Sequence, residues 1–133
     1  MSHGNLAKGL EDALTMIAGE KKEVQFITFN PTDTLEEFDF KVREVYESIP
    51  KNNEVLILGD LYGGTPTNVA TRYFLNDPDR VKVVTGINFP FLLTAVLMTN
   101  NNLEEVLDGI IYESKQELKK IEKNSLEINE DDE

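Results

Sequence analysis

Val55-Leu56-Ile57-Leu58-Gly59-Asp60-Leu61-Tyr62-Gly63-Gly64-Thr65-Pro66-Thr67-Asn68 opens on four successive apolar residues and closes on a helix start. An unbroken apolar run of this length, ending at Gly59-Asp60, is expected of a strand buried on both faces of a parallel sheet. Pro66 is well placed in a first helical turn, and Thr65 before it is a good N-cap. The predicted helix runs to about Phe74, where Asn76-Asp77-Pro78 ends it.

The same alternation continues in both directions. Upstream, Thr34 and Glu37 form a capping-box pattern, and Leu35, Phe38, Val42, Val45 and Ile49 give the helix that follows an apolar face. Val24 to Phe29 is short, β-branched and aromatic, and Asn30-Pro31 ends it: a strand. Leu6, Leu10, Ala13, Leu14 and Ile17 recur at helical spacing before Gly19. Downstream, Val81 to Thr85 is a strand, Asn88 caps a helix with Pro90 in its first turn, and an amphipathic helix is expected from Leu103 to about Asn124. Ser125 to Asn129 alternates like a short strand, and residues 130–133 form an acidic tail. Helices and strands in this order predict an α/β fold, a doubly wound and mostly parallel sheet with helices on both faces. Ligands of such sheets bind outside the carboxyl ends of the strands.

The whole chain bounds what this fold can do. Its 133 residues fit one domain, expected over residues 1–129. Thirteen Lys and Arg against 25 Asp and Glu give a net charge of −12. That field repels phosphate backbones and anionic membranes and favours basic partners, so nucleic acid is not expected. Cysteine is absent and His3 is the single histidine, which removes thiol catalysis and the Cys- or His-rich metal sites; no metal or cofactor is expected. The longest apolar stretch, Phe89 to Met98, is far short of the roughly 20 residues that span a bilayer. With no signal pattern around Met1 to Asn5, the expected location is the cytoplasm.

Three strand-end loops could carry chemistry. Gly63 and Gly64 can turn backbone N–H groups toward an oxyanion, and Thr65 and Thr67 could add hydroxyls at the helix N-terminus. A plain glycine turn with a helix cap explains the loop equally well. No Lys follows the glycines, so this is no Walker P-loop. Asp60 would repel an anion held there unless a third group lay between them, and an imidazole is such a group. Read alone, His3 is more simply an unstructured terminal residue. However, Asn5 to Lys8 begin a helix directly after it, and that turn falls on the same edge of the sheet as Asp60. A carboxylate bonded to one ring nitrogen fixes the tautomer and leaves the other nucleophilic. The third loop, Thr85 to Pro90, reads as a structural turn. Tyr62 and Phe89 are either part of a docking surface or ordinary surface aromatics.

Ser2-His3-Gly4 with its helix, Asp60 to Asn68, and Gly86-Ile87-Asn88-Phe89-Pro90 together resemble the enzyme IIA domain of the mannose-family phosphoenolpyruvate-dependent sugar phosphotransferase system. The resemblance covers almost the whole chain, and the middle motif is the specific one. It implies a phosphohistidine relay. His3 would accept a phosphoryl group on Nε2 from the histidine-containing phosphocarrier protein and hand it to enzyme IIB, with Asp60 orienting Nδ1. Gly63, Gly64, Thr65 and Thr67 would line the phosphate side. It also implies a homodimer that exchanges a C-terminal strand, here Ser125 to Asn129, and contact with the membrane only through the transporter components.

One departure stands out. Members of the family begin with an apolar strand inside the sheet, between the counterparts of Val24–Phe29 and Val55–Gly59, whereas only Met1 and Ser2 precede His3. The first family strand is therefore expected to be missing. Three or four buried aliphatic side chains are worth about 5–12 kcal/mol, comparable to the whole net stability of a domain, about 5–15 kcal/mol. A start placed too far downstream is the preferred explanation. The alternative is a non-catalytic regulatory or docking module of the same fold.

Overall fold

The computed structural model describes residues 1–98 and 102–124. The elements follow in the order β1 (Ser2–His3), α1 (Leu6–Ala18), β2 (Thr28–Phe29), α2 (Leu35–Ser48), β3 (Val55–Leu58), α3 (Thr65–Asn76), β4 (Val81–Val84), α4 (Phe89–Leu97) and α5 (Leu103–Lys115). This is the alternating α/β order read from the sequence. Local chemistry sets many of the boundaries. Thr34 Oγ1 accepts from the Glu37 N–H at 3.1 Å while the Glu37 carboxylate accepts from the Thr34 N–H at 3.2 Å, so α2 opens on a complete capping box. Asn88 accepts from the Phe91 N–H at 2.9 Å and caps α4, and its amide also donates to the Ser114 carbonyl, tying α4 to α5.

All strand pairing among the described residues is parallel. Ser2 and His3 pair with Thr28 and Phe29, and Val55 to Leu58 pair with Val81 to Val84. Two further bonds join the pairs: the Met1 amine donates to the Leu58 carbonyl at 2.8 Å, and the His3 N–H donates to the Asp60 carboxylate at 2.9 Å. The two pairs are separate two-stranded sheets, and these bonds set β1 beside the end of β3. The strand expected to be missing is present as a two-residue stub in the position foreseen for it.

Side chains of successive strand residues point to opposite faces, and the core divides accordingly. Val24 and Phe26 join a cluster of Leu14, Leu92 and Val96 from α1 and α4. Ile27 and Phe29 join Phe38, Val42 and Val69 from α2 and α3. Helices therefore cover both faces, as the sequence predicts.

Three boundaries differ from expectation. Of Val24 to Phe29, only Thr28–Phe29 is a strand, because β1 is too short to pair with more of it. Helix α3 has Gly64, not Thr65, as its N-cap, one residue earlier than expected. Helix α5 ends at Lys115 with Gln116 as its C-cap, well before Asn124. Leu118, which continues the helical spacing, is 92% exposed and has nothing to pack against. The expected strand Ser125 to Asn129 and the acidic tail lie outside the described residues.

Candidate active site

β1 and β3 end side by side, and each is followed or ended by one candidate side chain at the same edge. His3 is the last residue of β1; Asp60 follows β3 by two residues. Their side chains meet, with His3 Nδ1 3.0 Å from Asp60 Oδ2. An ionised carboxylate only accepts, so Nδ1 is the donor, and the neutral ring in this tautomer has its lone pair on Nε2. The same carboxylate oxygen accepts the His3 backbone N–H, and this second bond fixes the residue as well as its ring. The imidazole is 43% exposed and the carboxylate 14% exposed, so the brace is covered while the ring remains reachable.

Burial pushes the Asp60 carboxyl up most strongly of any single influence. The two hydrogen bonds from His3 and its Coulombic attraction together overcome this, and hold the group below its ordinary 3.8. Asp60 is therefore ionised at neutral pH. Its second oxygen, Oδ1, is buried with no hydrogen-bond partner among the described residues.

The glycine loop lies on the far side of the ring. A Cβ built on Gly64 would stand 2.6 Å from His3 Cε1 and 3.3 Å from Nε2, so only glycine allows the imidazole to lie this close to the backbone. Gly63, with φ of +79°, turns the chain into α3. In the first turn of α3, Thr65 and Thr67 have no intrahelical acceptor for their N–H groups; the first helical bond is Asn68 N–H to the Gly64 carbonyl at 2.9 Å. The helix N-terminus thus presents amide donors and positive dipole close to the ring.

The arrangement joins a braced imidazole, an open nitrogen and a set of amide donors. The family model described as "PTS system fructose IIA component" matches residues 1–111. The chain belongs to this family. It is similar to the PTS system fructose-specific EIIA component of Bacillus subtilis (strain 168), 29% identical over 115 residues, which cover 86% of this chain and 78% of that protein. It is also similar to the PTS system mannose-specific EIIAB component of Escherichia coli (strain K12), 29% identical over 101 residues, 76% of this chain but only 31% of that longer protein. Among solved structures, the mannose/sorbose specific IIA subunit of the phosphotransferase system from Enterococcus faecalis superposes with a TM-score of 0.81 at 28% identity, covering 92% of this chain and 91% of that one.

Within this candidate site, two expected contributions change. The Gly64 N–H donates to the Leu61 carbonyl at 3.2 Å, so Gly64 serves by lacking a side chain rather than by offering an amide. The Thr67 hydroxyl also donates to the Leu61 carbonyl, at 2.7 Å, and is buried. It braces the loop from inside, because the turn at Leu61 needs an acceptor satisfied there.

Other residues of the site escape a sequence reading. Phe29 sets its ring edge-on to His3, with centroids 6.2 Å apart. Ser2 is buried, and its hydroxyl accepts the Ala7 N–H at 2.7 Å, capping α1 from β1. A small polar residue beside the histidine was visible, but not its partner five residues on. In the loop between Asp60 and Gly64, Tyr62 is 86% exposed and Leu61 is also exposed, so that loop shows apolar surface to solvent. Phe89 instead packs against the α1–α4 cluster, and the Ile87 N–H reaches the Gly59 carbonyl, in keeping with a structural turn at the third loop. No described helix is long and apolar enough to cross a membrane.

Proposed function

We propose that this IIA protein carries a phosphoryl group on Nε2 of His3, taking it from the histidine-containing phosphocarrier protein and passing it to enzyme IIB during sugar uptake. The observation that carries this reading is the 3.0 Å contact between His3 Nδ1 and Asp60, which leaves Nε2 as the free nucleophile. The Nε2 lone pair attacks phosphorus, and the bond from phosphorus to the carrier's histidine breaks, its electron pair returning to that ring. His3 keeps its Nδ1 proton and becomes cationic, and the Asp60 carboxylate opposite that proton offsets the charge. Amide donors from Gly63, Thr65 and Thr67 face the equatorial oxygens of the phosphoryl group, with the Thr65 hydroxyl beside them. Transfer to enzyme IIB is the same displacement in reverse. The protein works in the cytoplasm as one domain per chain, residues 1–129 with an acidic tail, and pairs as a homodimer.

The test is incubation with phosphoenolpyruvate, enzyme I and the phosphocarrier protein, followed by intact-mass analysis. We expect one phosphoryl group per chain, labile in acid and stable in base. His3→Ala should lose it and stay folded, since the ring is substantially exposed. Label that persists in this variant refutes the assignment. A second reading is a docking module of the same fold without phosphoryl uptake. Partner binding by titration with no gain in mass would establish that one instead.

A further inference from the structure

Asp60 braces the imidazole, and its own support comes from the chain on either side of it. Its Oδ2 takes both bonds from His3. Oδ1 is buried and has no hydrogen-bond partner among the described residues. Beyond His3, the direction of the carboxylate therefore follows from the backbone that carries it.

Both flanking residues are pinned. The Gly59 N–H donates to the Val84 carbonyl at 2.8 Å, and the Gly59 carbonyl accepts from the Ile87 N–H at 3.4 Å. On the other side, the Leu61 carbonyl accepts from the Gly64 N–H at 3.2 Å and from the Thr67 hydroxyl at 2.7 Å. The hydroxyl bond is the shortest of these and the only one made by a side chain. Thr67 is 5% exposed, so water competes little for that bond.

The same hydroxyl touches the other flank. A Cβ built on Gly59 would stand 2.8 Å from Thr67 Oγ1, closer than real Cβ atoms come. The next atoms, Thr85 Cγ2 at 3.6 Å and Thr67 Cβ at 3.9 Å, are at ordinary contact distance. From the first turn of α3, one hydroxyl thus lies against Gly59 and bonds Leu61, spanning the two neighbours of Asp60.

We infer that Thr67 is a positioning residue: its hydroxyl, set between Gly59 and Leu61, fixes where Asp60 points and, through Asp60, which nitrogen of His3 stays bare. A hydroxyl has one proton to give. Spent on Leu61, it orients the site and does not bind the phosphoryl group. Without it, Leu61 keeps only the Gly64 N–H, and the segment around Asp60 gains freedom. A small displacement there lengthens the 3.0 Å contact with His3 and weakens it. The proton on Nδ1 then exchanges through solvent to Nε2, and the nucleophilic side of the ring is lost. The effect on transfer rate rests on the proposed relay; the effect on the imidazole does not.

The experiment compares the native chain with Thr67→Ala, Thr67→Ser, Gly59→Ala and the Gly59→Ala/Thr67→Ala double variant. Nitrogen NMR of the His3 ring, recorded at alkaline pH with no phosphoryl donor, separates a protonated from a bare nitrogen. Phosphoryl uptake is followed in parallel at saturating phosphocarrier protein. The native ring should show a protonated Nδ1 and a bare Nε2. Thr67→Ala should draw the two signals together, the mark of mixed tautomers, and slow uptake by about tenfold. Thr67→Ser keeps the hydroxyl and should return both readouts most of the way. Gly59→Ala should resemble Thr67→Ala, because its methyl displaces the hydroxyl. In the double variant that methyl meets no hydroxyl, so the two effects should not add. A native ring spectrum in Thr67→Ala, no recovery in Thr67→Ser, or full addition in the double variant overturns the inference. If Thr67→Ala does not fold, Gly59→Ala decides in its place, and an unchanged imidazole there refutes the inference. A native chain that takes up no phosphoryl group refutes the proposed function, and the ring spectra still decide the role of Thr67.

Discussion

A methyl group at position 64 would meet the imidazole of His3 before anything else, 2.6 Å from Cε1. The ring sits at the exposed end of a rotatable side chain, so it can swing away at little cost to the fold. It would then leave Asp60. Gly64→Ala should therefore slow phosphoryl uptake by about tenfold or more, the rate cost of roughly 1.4 kcal/mol of lost alignment. Its melting temperature should move by no more than a few degrees, and a variant that labels at the native rate would show that the close approach is incidental. Asp60 adds a prediction in pH. Burial raises its carboxyl and the His3 bonds more than reverse this, so the folded value lies below the unfolded one. A group shifted down contributes stability that is complete above its unfolded value and lost as pH falls through the folded value. Carbon-detected NMR titration should find Asp60 ionising below 3.8. The stability advantage of the native protein over Asp60→Asn should persist through neutral pH and vanish only in that acid window. The His3–Asp60 pair was legible because two neighbouring strand ends fix where each residue must lie. The Gly64 contact was not, since a missing side chain leaves no sign of which group fills its space.

At the scale of elements, legibility follows whether the stabilising chemistry is local. Helices α2 and α4 are readable to within a residue at their starts because Thr34 with Glu37, and Asn88, are caps written within one turn. The end of α5 is not, because apolar spacing alone cannot reveal that Leu118 has no partner surface. β2 is shorter than its β-branched sequence for the same reason: a strand needs a neighbour, and β1 supplies two residues. The locality of capping can be measured. Thr34→Ala removes the Glu37 N–H acceptor at the start of the helix that contributes Phe38 and Val42 to the core. A loss of about 1 kcal/mol is expected, seen in urea unfolding as a lower midpoint at unchanged slope. The slope should hold because the surface buried by α2 is the same. No change in midpoint would mean that α2 is held by packing alone.

For the whole molecule, acidic groups outnumber basic ones to a net charge of −12, and several of the cations are already engaged. Lys41 is paired with Asp33, Arg43 and Arg72 share Asp39, and Lys82 meets Glu104. Arg80 spends its guanidinium on the carbonyls of Ile49, Pro50 and Asn53 and on the Tyr46 hydroxyl. The outward field is therefore negative, while the loop that follows Asp60 shows an apolar rim, Leu61 and Tyr62, to solvent. These two features act at different stages of an encounter. Long-range charge sets how often a basic partner arrives, and apolar contact sets how long it stays. They also respond differently to salt, because the Debye length shrinks from roughly 30 Å at 0.01 M to roughly 3 Å at 1 M. With a basic phosphocarrier well below saturation, phosphoryl uptake by His3 should fall by about tenfold or more across that range. Tyr62→Ala should weaken uptake at every salt concentration and leave the salt slope unchanged, since it removes contact area and no charge. A rate indifferent to salt would mean that partners find this protein through the apolar rim alone. A slope altered by Tyr62→Ala would mean that the two stages are not separable.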